Sequence, residues 1–166
     1  MINTRPDSAR ANNKLAEFLT NPSPEYIEAV QHIIRYLYNT RYLAIEYSKE
    51  GGSDQVNLDL YCLADTAYAD DTDIQKSTKG FLFKLFGGPI DWHSSKQKAV
   101  TRSSTEAELL ALSHASTQLY WWCWFFDQIK LQLDEYKVLY NNQQTIQIVS
   151  TPAIKLATKL KHIDIY

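Results

Sequence analysis

From residue 55 onward the chain changes its hydrophobic period, and the order of those changes limits the kind of sheet it can build. Val56, Leu58, Leu60 and Cys62 alternate with Asp59, Tyr61, Leu63 and Asp65, the period of two expected of a half-buried strand. GFLFKLF at 80–86 and IDWHSSKQKAVT at 90–101 read as two further strands, with Gly87-Gly88-Pro89 turning the hairpin between them. The period then lengthens. SSTEAELLAL opens a helix that the spacing carries to about Asp127, EYKVLY at 135–140 predicts a fourth strand, and a last helix starts near Gln143 with a break at Ser150-Thr151-Pro152. The order three strands, helix, strand, helix predicts a mixed α/β domain.

The segment before this pattern is helical. Asp7 can cap a helix running to about Leu19, and Asn21-Pro22-Ser23-Pro24 breaks it, with Ser23 as the next N-cap and Pro24 at the first helical position. In that second helix Ile27, Val30, Ile33, Ile34, Leu37 and Tyr38 form one apolar face, which needs something to pack on. Arg41 to Tyr47 predicts a short strand, and the polar SKEGGSD at 48–54 is the best boundary, dividing a helical segment 1–49 from a sheet domain 50–166.

Bulk properties exclude more than they assign. With 45% hydrophobic and 22% charged residues the 166-residue chain is not a disordered one. A net charge of -2 argues against coating nucleic acid through bulk positive charge, while leaving room for a local basic face. Cys62 and Cys123 have neither metal-ligand nor disulfide-framework spacing and are expected as buried, reduced thiols. The start MINTRPDSAR is not of signal-peptide type, and the densest apolar run, LYWWCWFF at 119–126, is too short to cross a bilayer and is expected as a buried helix segment. The expectation is an intracellular chain, cytoplasmic or nuclear, with no targeting segment and no membrane partner; its oligomeric state is open.

Four polar residues stand out. Glu108 heads the stripe Leu112, Ala115, Leu119, Trp122 and Phe126, so it lies where the core face of the long helix emerges. It is either a capping-box glutamate held by Thr105, as Glu106 is by Ser103, or a carboxylate needed for pairing or cation binding. Asp65 ends the first strand, as a turn residue or as a ligand at the sheet's crevice. In VLYNNQQTI, Asn141 and Asn142 follow the fourth strand, where such a pair is by default a turn and a helix cap.

Taken in order, these segments resemble the Ty1/copia retrotransposon polyprotein, from the end of its reverse transcriptase region through its ribonuclease H domain. The resemblance is carried by TRPDSARANNKLAEFLTNPSPEYIEAVQHIIRYLYNTRYLAIEY, by DIQKSTKGFLFKLFGGPIDWHSSKQKAVTRSSTEAELLALSHA, and by NNQQTIQIV and TKLKHIDI. It implies a ribonuclease H-like fold, a mixed five-stranded sheet with flanking helices whose first three strands are antiparallel. The implied activity is cleavage of the RNA strand of an RNA:DNA hybrid by carboxylates holding two divalent ions, Mg²⁺ or alternatively Mn²⁺. By position, Asp65 and Glu108 match metal-ligand carboxylates, while Asn141 stands where the family has a catalytic aspartate and Asn142 matches the asparagine after it. An amide keeps one oxygen acceptor but loses the negative charge a divalent cation needs, so metal binding and catalysis are expected to be impaired. The family's final strand and helix, with the last active-site aspartate, are expected to be missing after Tyr166, Asp164 being no replacement.

Lys76, Lys79, Lys84, Lys96, Lys98 and Arg102 cluster around the hairpin and either meet phosphates or solvate strand faces. Ser77, Thr78, Ser103, Ser104 and Asn142 either contact a nucleic-acid backbone or cap local structure, and Trp92 and His93 either stack on a nucleotide or pack internally. Three functions follow: a ribonuclease H-type region impaired in hydrolysis, a catalytically dead relic that binds hybrid, or a co-opted fragment for protein contacts. The implied partners are RNA:DNA hybrid and the remainder of the polyprotein.

Overall fold

A computed structural model describes residues 4–47, 58–71 and 75–150. Four strands form one mixed sheet in the order β3-β2-β1-β4: β1 (Leu60–Ala67), β2 (Thr78–Leu85), β3 (Gly88–Lys96) and β4 (Tyr136–Leu139). The first three pair antiparallel and β4 runs parallel to β1. Helices α1 (Ala9–Ala16) and α2 (Pro24–Asn39) precede the sheet, α3 (Ser104–Gln128) links β3 to β4, and α4 (Gln143–Ser150) follows. This is the ribonuclease H-like arrangement, with four strands among the described residues.

The alternation that predicts β1 also sets the core. Leu60, Cys62 and Ala64 point to one face, beside Phe81, Phe83 and Leu85 of β2, and Ala115 and Phe126 of α3 close over them. Leu63, Leu82, Trp92 and Leu139 are joined in register on the other face, where Leu63 and Leu139 are exposed. Burial pushes the Cys62 thiol up to about 11, so this free cysteine is inert, as expected of a buried thiol.

The hairpin turns one residue earlier than Gly87-Gly88-Pro89 suggests. Leu85 pairs with Gly88, leaving Phe86 and Gly87 as a two-residue loop with φ of 54° and 76°, the left-handed values that match the twist of the flanking strands. Gly88 is then free to admit the 41–47 segment. That segment is not the expected strand: it is a turn at 41–42 followed by irregular backbone at 43–47, its Tyr47 hydroxyl donating to the Pro89 carbonyl at 2.8 Å. A Cβ at Gly88 would sit 2.7 Å from the Glu46 carbonyl oxygen and 2.7 Å from the Tyr47 ring. Gly88→Ala is therefore expected to cost about 1–3 kcal/mol, the usual penalty of overpacking; a denaturant midpoint equal to the parent's is the contrary result.

The amino-terminal helices need several corrections. Asp7 does not cap a helix; it lies in a 3₁₀ turn, Pro6–Ser8, ahead of α1. Its carboxylate accepts from Arg5 at 2.8 Å and from the Tyr36 hydroxyl at 2.7 Å, and the Arg5 guanidinium holds it down to about 2. Ser23 is the N-cap of α2 and Pro24 its first residue, but the Ser23 side chain makes no capping bond. The apolar face of α2 finds no core among the described residues: Ile27, Val30, Ile34 and Tyr38 are exposed, and its clearest contact is Tyr26 stacked on Phe18 at 3.8 Å. In α3 the run LYWWCWFF is helical but not wholly buried, since Phe126 is buried whereas Tyr120, Trp121 and Trp124 face solvent. The proposed boundary at 48–54 and the break at 150–152 extend outside the described residues.

Candidate active site

Parallel pairing of β1 and β4 brings the polar positions together. Leu63 pairs with Leu139, so extending the register two residues sets Asn141 beside Asp65, and Tyr140 beside Ala64. Alternation places Asp65 and Asn141 on the face away from the core, both exposed, and sends Tyr140 to the core side, where it packs against the central cluster. Glu108 enters from the first turns of α3 and is buried.

Several bonds fix that helix end. Ser103 is the N-cap and its side chain accepts from the Glu106 backbone N–H at 3.1 Å. Glu106 in turn accepts from the Arg102 N–H at 2.7 Å, one residue before the partner of an ideal capping box. Gln97, buried beneath the turn, donates to the Ala107 carbonyl at 2.8 Å. Thr105 does not hold Glu108; its hydroxyl donates to Gln144 of α4 at 3.0 Å. The group on Glu108 is Tyr140, whose hydroxyl donates to Oε2.

Burial pushes the Glu108 carboxyl above its ordinary value; Asp65 pushes the same way, and hydrogen bonds from Tyr140 and Asn142 oppose it. Burial and the Glu108 bond hold the Tyr140 phenol well above the usual tyrosine range, so it stays protonated and remains a donor. Asn142 caps α4, its Oδ1 accepting from the Thr145 N–H at 3.0 Å. The local role of Asn142 is thus a helix cap, while Asn141 is exposed just beyond the end of β4.

The basic and hydroxyl positions divide. Lys98, Arg102 and Ser104 are exposed on or beside the segment leading into α3, and Lys76 is half-buried. Ser77 is fully buried, its hydroxyl accepting from the Ala69 N–H at 3.0 Å. Thr78 donates to Asp70 at 2.9 Å, and Lys96 pairs with Glu17 and Asp71; as placed, these three are engaged internally. His93 and His114 lie 5.4 Å apart, packed on Phe81. Burial, aided by Lys79, pushes both imidazoles below their ordinary value. Lys79 and Lys98 are close enough for the charge of Lys98 to add to burial in lowering the Lys79 amine.

Comparison with known proteins agrees along nearly the whole chain. The retrovirus-related Pol polyprotein from transposon TNT 1-94 of Nicotiana tabacum is 37% identical over 165 residues, 99% of this chain. That from transposon RE1 of Arabidopsis thaliana is 34% identical over 163 residues, 98% of this chain. The chain belongs to the Ty1/copia-type retrotransposon polyproteins. It spans 12% and 11% of the lengths of these two relatives, so it corresponds to one region of a much larger polyprotein. A protein of Plasmopara viticola named secreted RxLR effector protein 161 is 38% identical over 121 residues, 73% of this chain and 82% of that protein. No family model and no solved structure matches. No helix among the described residues of this copia-type chain is long and apolar enough to cross a membrane.

The donors suit a hard cation in kind but not in number. Asp65, Glu108 and Asn141 offer only oxygens, as Mg²⁺ prefers. Two of the three carry charge, and an oxygen of Glu108 is already bonded to Tyr140. No group of three or more His, Cys, Asp or Glu side chains that could hold a metal ion occurs among the described residues. These residues do not fit the pair of divalent ions of two-metal hydrolysis.

Sequence reasoning passed over Tyr140, Gln97 and Thr145. For Tyr140 the signal was present, since period two from Val138 places it on the face of α3. Gln97 and Thr145 are buried polar residues in loop and helix positions with no local pattern to mark them.

Proposed function

We propose that this chain is the ribonuclease H region of a copia-type Pol polyprotein, and that in this copy it binds RNA:DNA hybrid while hydrolysing it poorly. One observation carries the reading: Asp65 of β1 and Glu108 of α3 lie close enough for their charges to interact, and β4, parallel to β1, leads Asn141 out toward the same strand ends, in the chain order the family resemblance implies. The amide at Asn141 and the bonded state of Glu108 account for the impairment. Asp65 and Glu108 are the residues that would face a single Mg²⁺ or Mn²⁺ ion rather than a pair, which leaves hydrolysis slow.

Hybrid binding should depend on the open cations beside α3. Lys98→Glu combined with Arg102→Glu is expected to weaken binding of a labelled RNA:DNA hybrid at least about tenfold at low salt, because phosphate contacts carry most of such affinity. Fluorescence anisotropy without divalent metal checks this, and equal affinities would count against the reading. The exposed apolar face of α2 favours a second reading, a fragment for protein contacts. A stable homodimer with no hybrid affinity would select it.

A further inference from the structure

The charge missing at Asn141 leaves open how the site holds together without a cation. In a metal-bound carboxylate cluster the ion itself crosslinks the elements that carry its ligands. Here α3 and the exit of β4 meet through a different bond. Tyr140 leaves the strand on the core side, packs against the central cluster and donates its hydroxyl to Glu108 Oε2. Thr145, fully buried, lies beside the same phenol, near enough for its hydroxyl to favour the ionised form. Thr105 and Gln144 add a second tie between α3 and α4 at 3.0 Å.

We propose that Tyr140 does part of the work of a cation: its hydroxyl is an internal partner for Glu108 that joins α3 to the end of β4 and competes with divalent metal for that carboxylate. A neutral donor suits this cluster, because Glu108 is buried near Asp65 and the Asn142 amide. A buried carboxylate without a partner is costly, and a hydroxyl satisfies it without adding charge. The phenol takes one of the lone pairs of Oε2 and fixes how the carboxylate is turned, so a metal approaching Glu108 has to share that oxygen or reorient it. Tyr140 is a positioning residue in this account; it orders Glu108 and takes no part in chemistry.

The inference rests on Glu108 being a metal-ligand position, and its test uses neither hybrid nor cleavage, so loss of hybrid binding would leave it standing. The full chain and Tyr140→Phe are titrated with Mn²⁺, read by water proton relaxation and by melting temperature. The parent is expected to show no saturable Mn²⁺ binding at millimolar concentration and no metal-dependent rise in melting temperature. Tyr140→Phe should melt lower without metal, bind Mn²⁺ at least tenfold more tightly and regain melting temperature as Mn²⁺ is added. Adding Glu108→Gln to Tyr140→Phe should remove that response. Saturable binding by the parent, or equal affinity of parent and Tyr140→Phe, overturns the proposal. If Tyr140→Phe does not fold, Tyr140→Leu is titrated in its place against the same two outcomes.

Discussion

Asn141→Asp is expected to raise divalent-dependent cleavage of an RNA:DNA hybrid by at least ~100-fold over the parent chain, the scale of restoring one preorganised electrostatic contact. Continued two residues past its last pair, the parallel register of β1 and β4 would bring residue 141 beside Asp65, so the new carboxylate is expected to join an existing one without a change of backbone. Aspartate and asparagine are nearly equal in volume, and Asn141 is exposed, which removes packing as a competing cause. What changes is one negative charge at the point where a hard cation would be neutralised. Without metal, the added charge repels Asp65 and raises Glu108 further, so the variant should melt slightly lower than the parent and recover with Mg²⁺. With Tyr140 still bonded to Glu108, the gain is a floor, and Tyr140→Phe in the same chain should increase it. Rates within tenfold of each other, with both proteins folded by circular dichroism, would sink the argument that the amide is the lesion.

The parts of this site that could be read from sequence are those written in a local period. The stripe below Glu108 identifies the core face of α3 because helix spacing is fixed, and Ala115 and Phe126 are buried as that stripe requires. The Ser103 cap is equally local. Where the sequence misleads, a distant partner has outbid a local one. Thr105 and Glu108 have capping-box spacing, yet Gln144 takes the first and Tyr140 the second. Asp7 has the look of an N-cap but is drawn to Arg5 and to Tyr36, 29 positions away in the chain. The 41–47 segment has strand-like residues, but its place is set by a glycine at 88 that leaves room for its backbone. The apolar face of α2 predicts a packing partner, and none covers it among the described residues; the period says that a face exists and nothing about where its partner lies.

Phe83→Ala should remove a large share of the domain's stability, because the core is thin. Phe83 is fully buried in β2, edge-on to Phe81 at 5.3 Å, in a cluster whose helical side is supplied by α3. α2 contributes no buried residue, so no second layer among the described residues can collapse into the space left. Truncating a core phenylalanine costs about 3–5 kcal/mol, against a total of roughly 5–15 kcal/mol for an ordinary domain. The denaturant midpoint should fall accordingly with an unchanged slope, the sign of lost stability rather than of altered compactness. Trp124→Ala provides the contrast: Trp124 is 55% exposed on the outer side of α3, and its loss should move stability by no more than about 0.5 kcal/mol. The ordering matters for function as well as stability. Phe83 supports the face on which α3 rests, and α3 carries Glu108, so loosening the core should also free the end of the helix that Tyr140 and Gln97 hold. If Phe83→Ala and Trp124→Ala cost the same, the sheet face beneath α3 is not the core that positions the site.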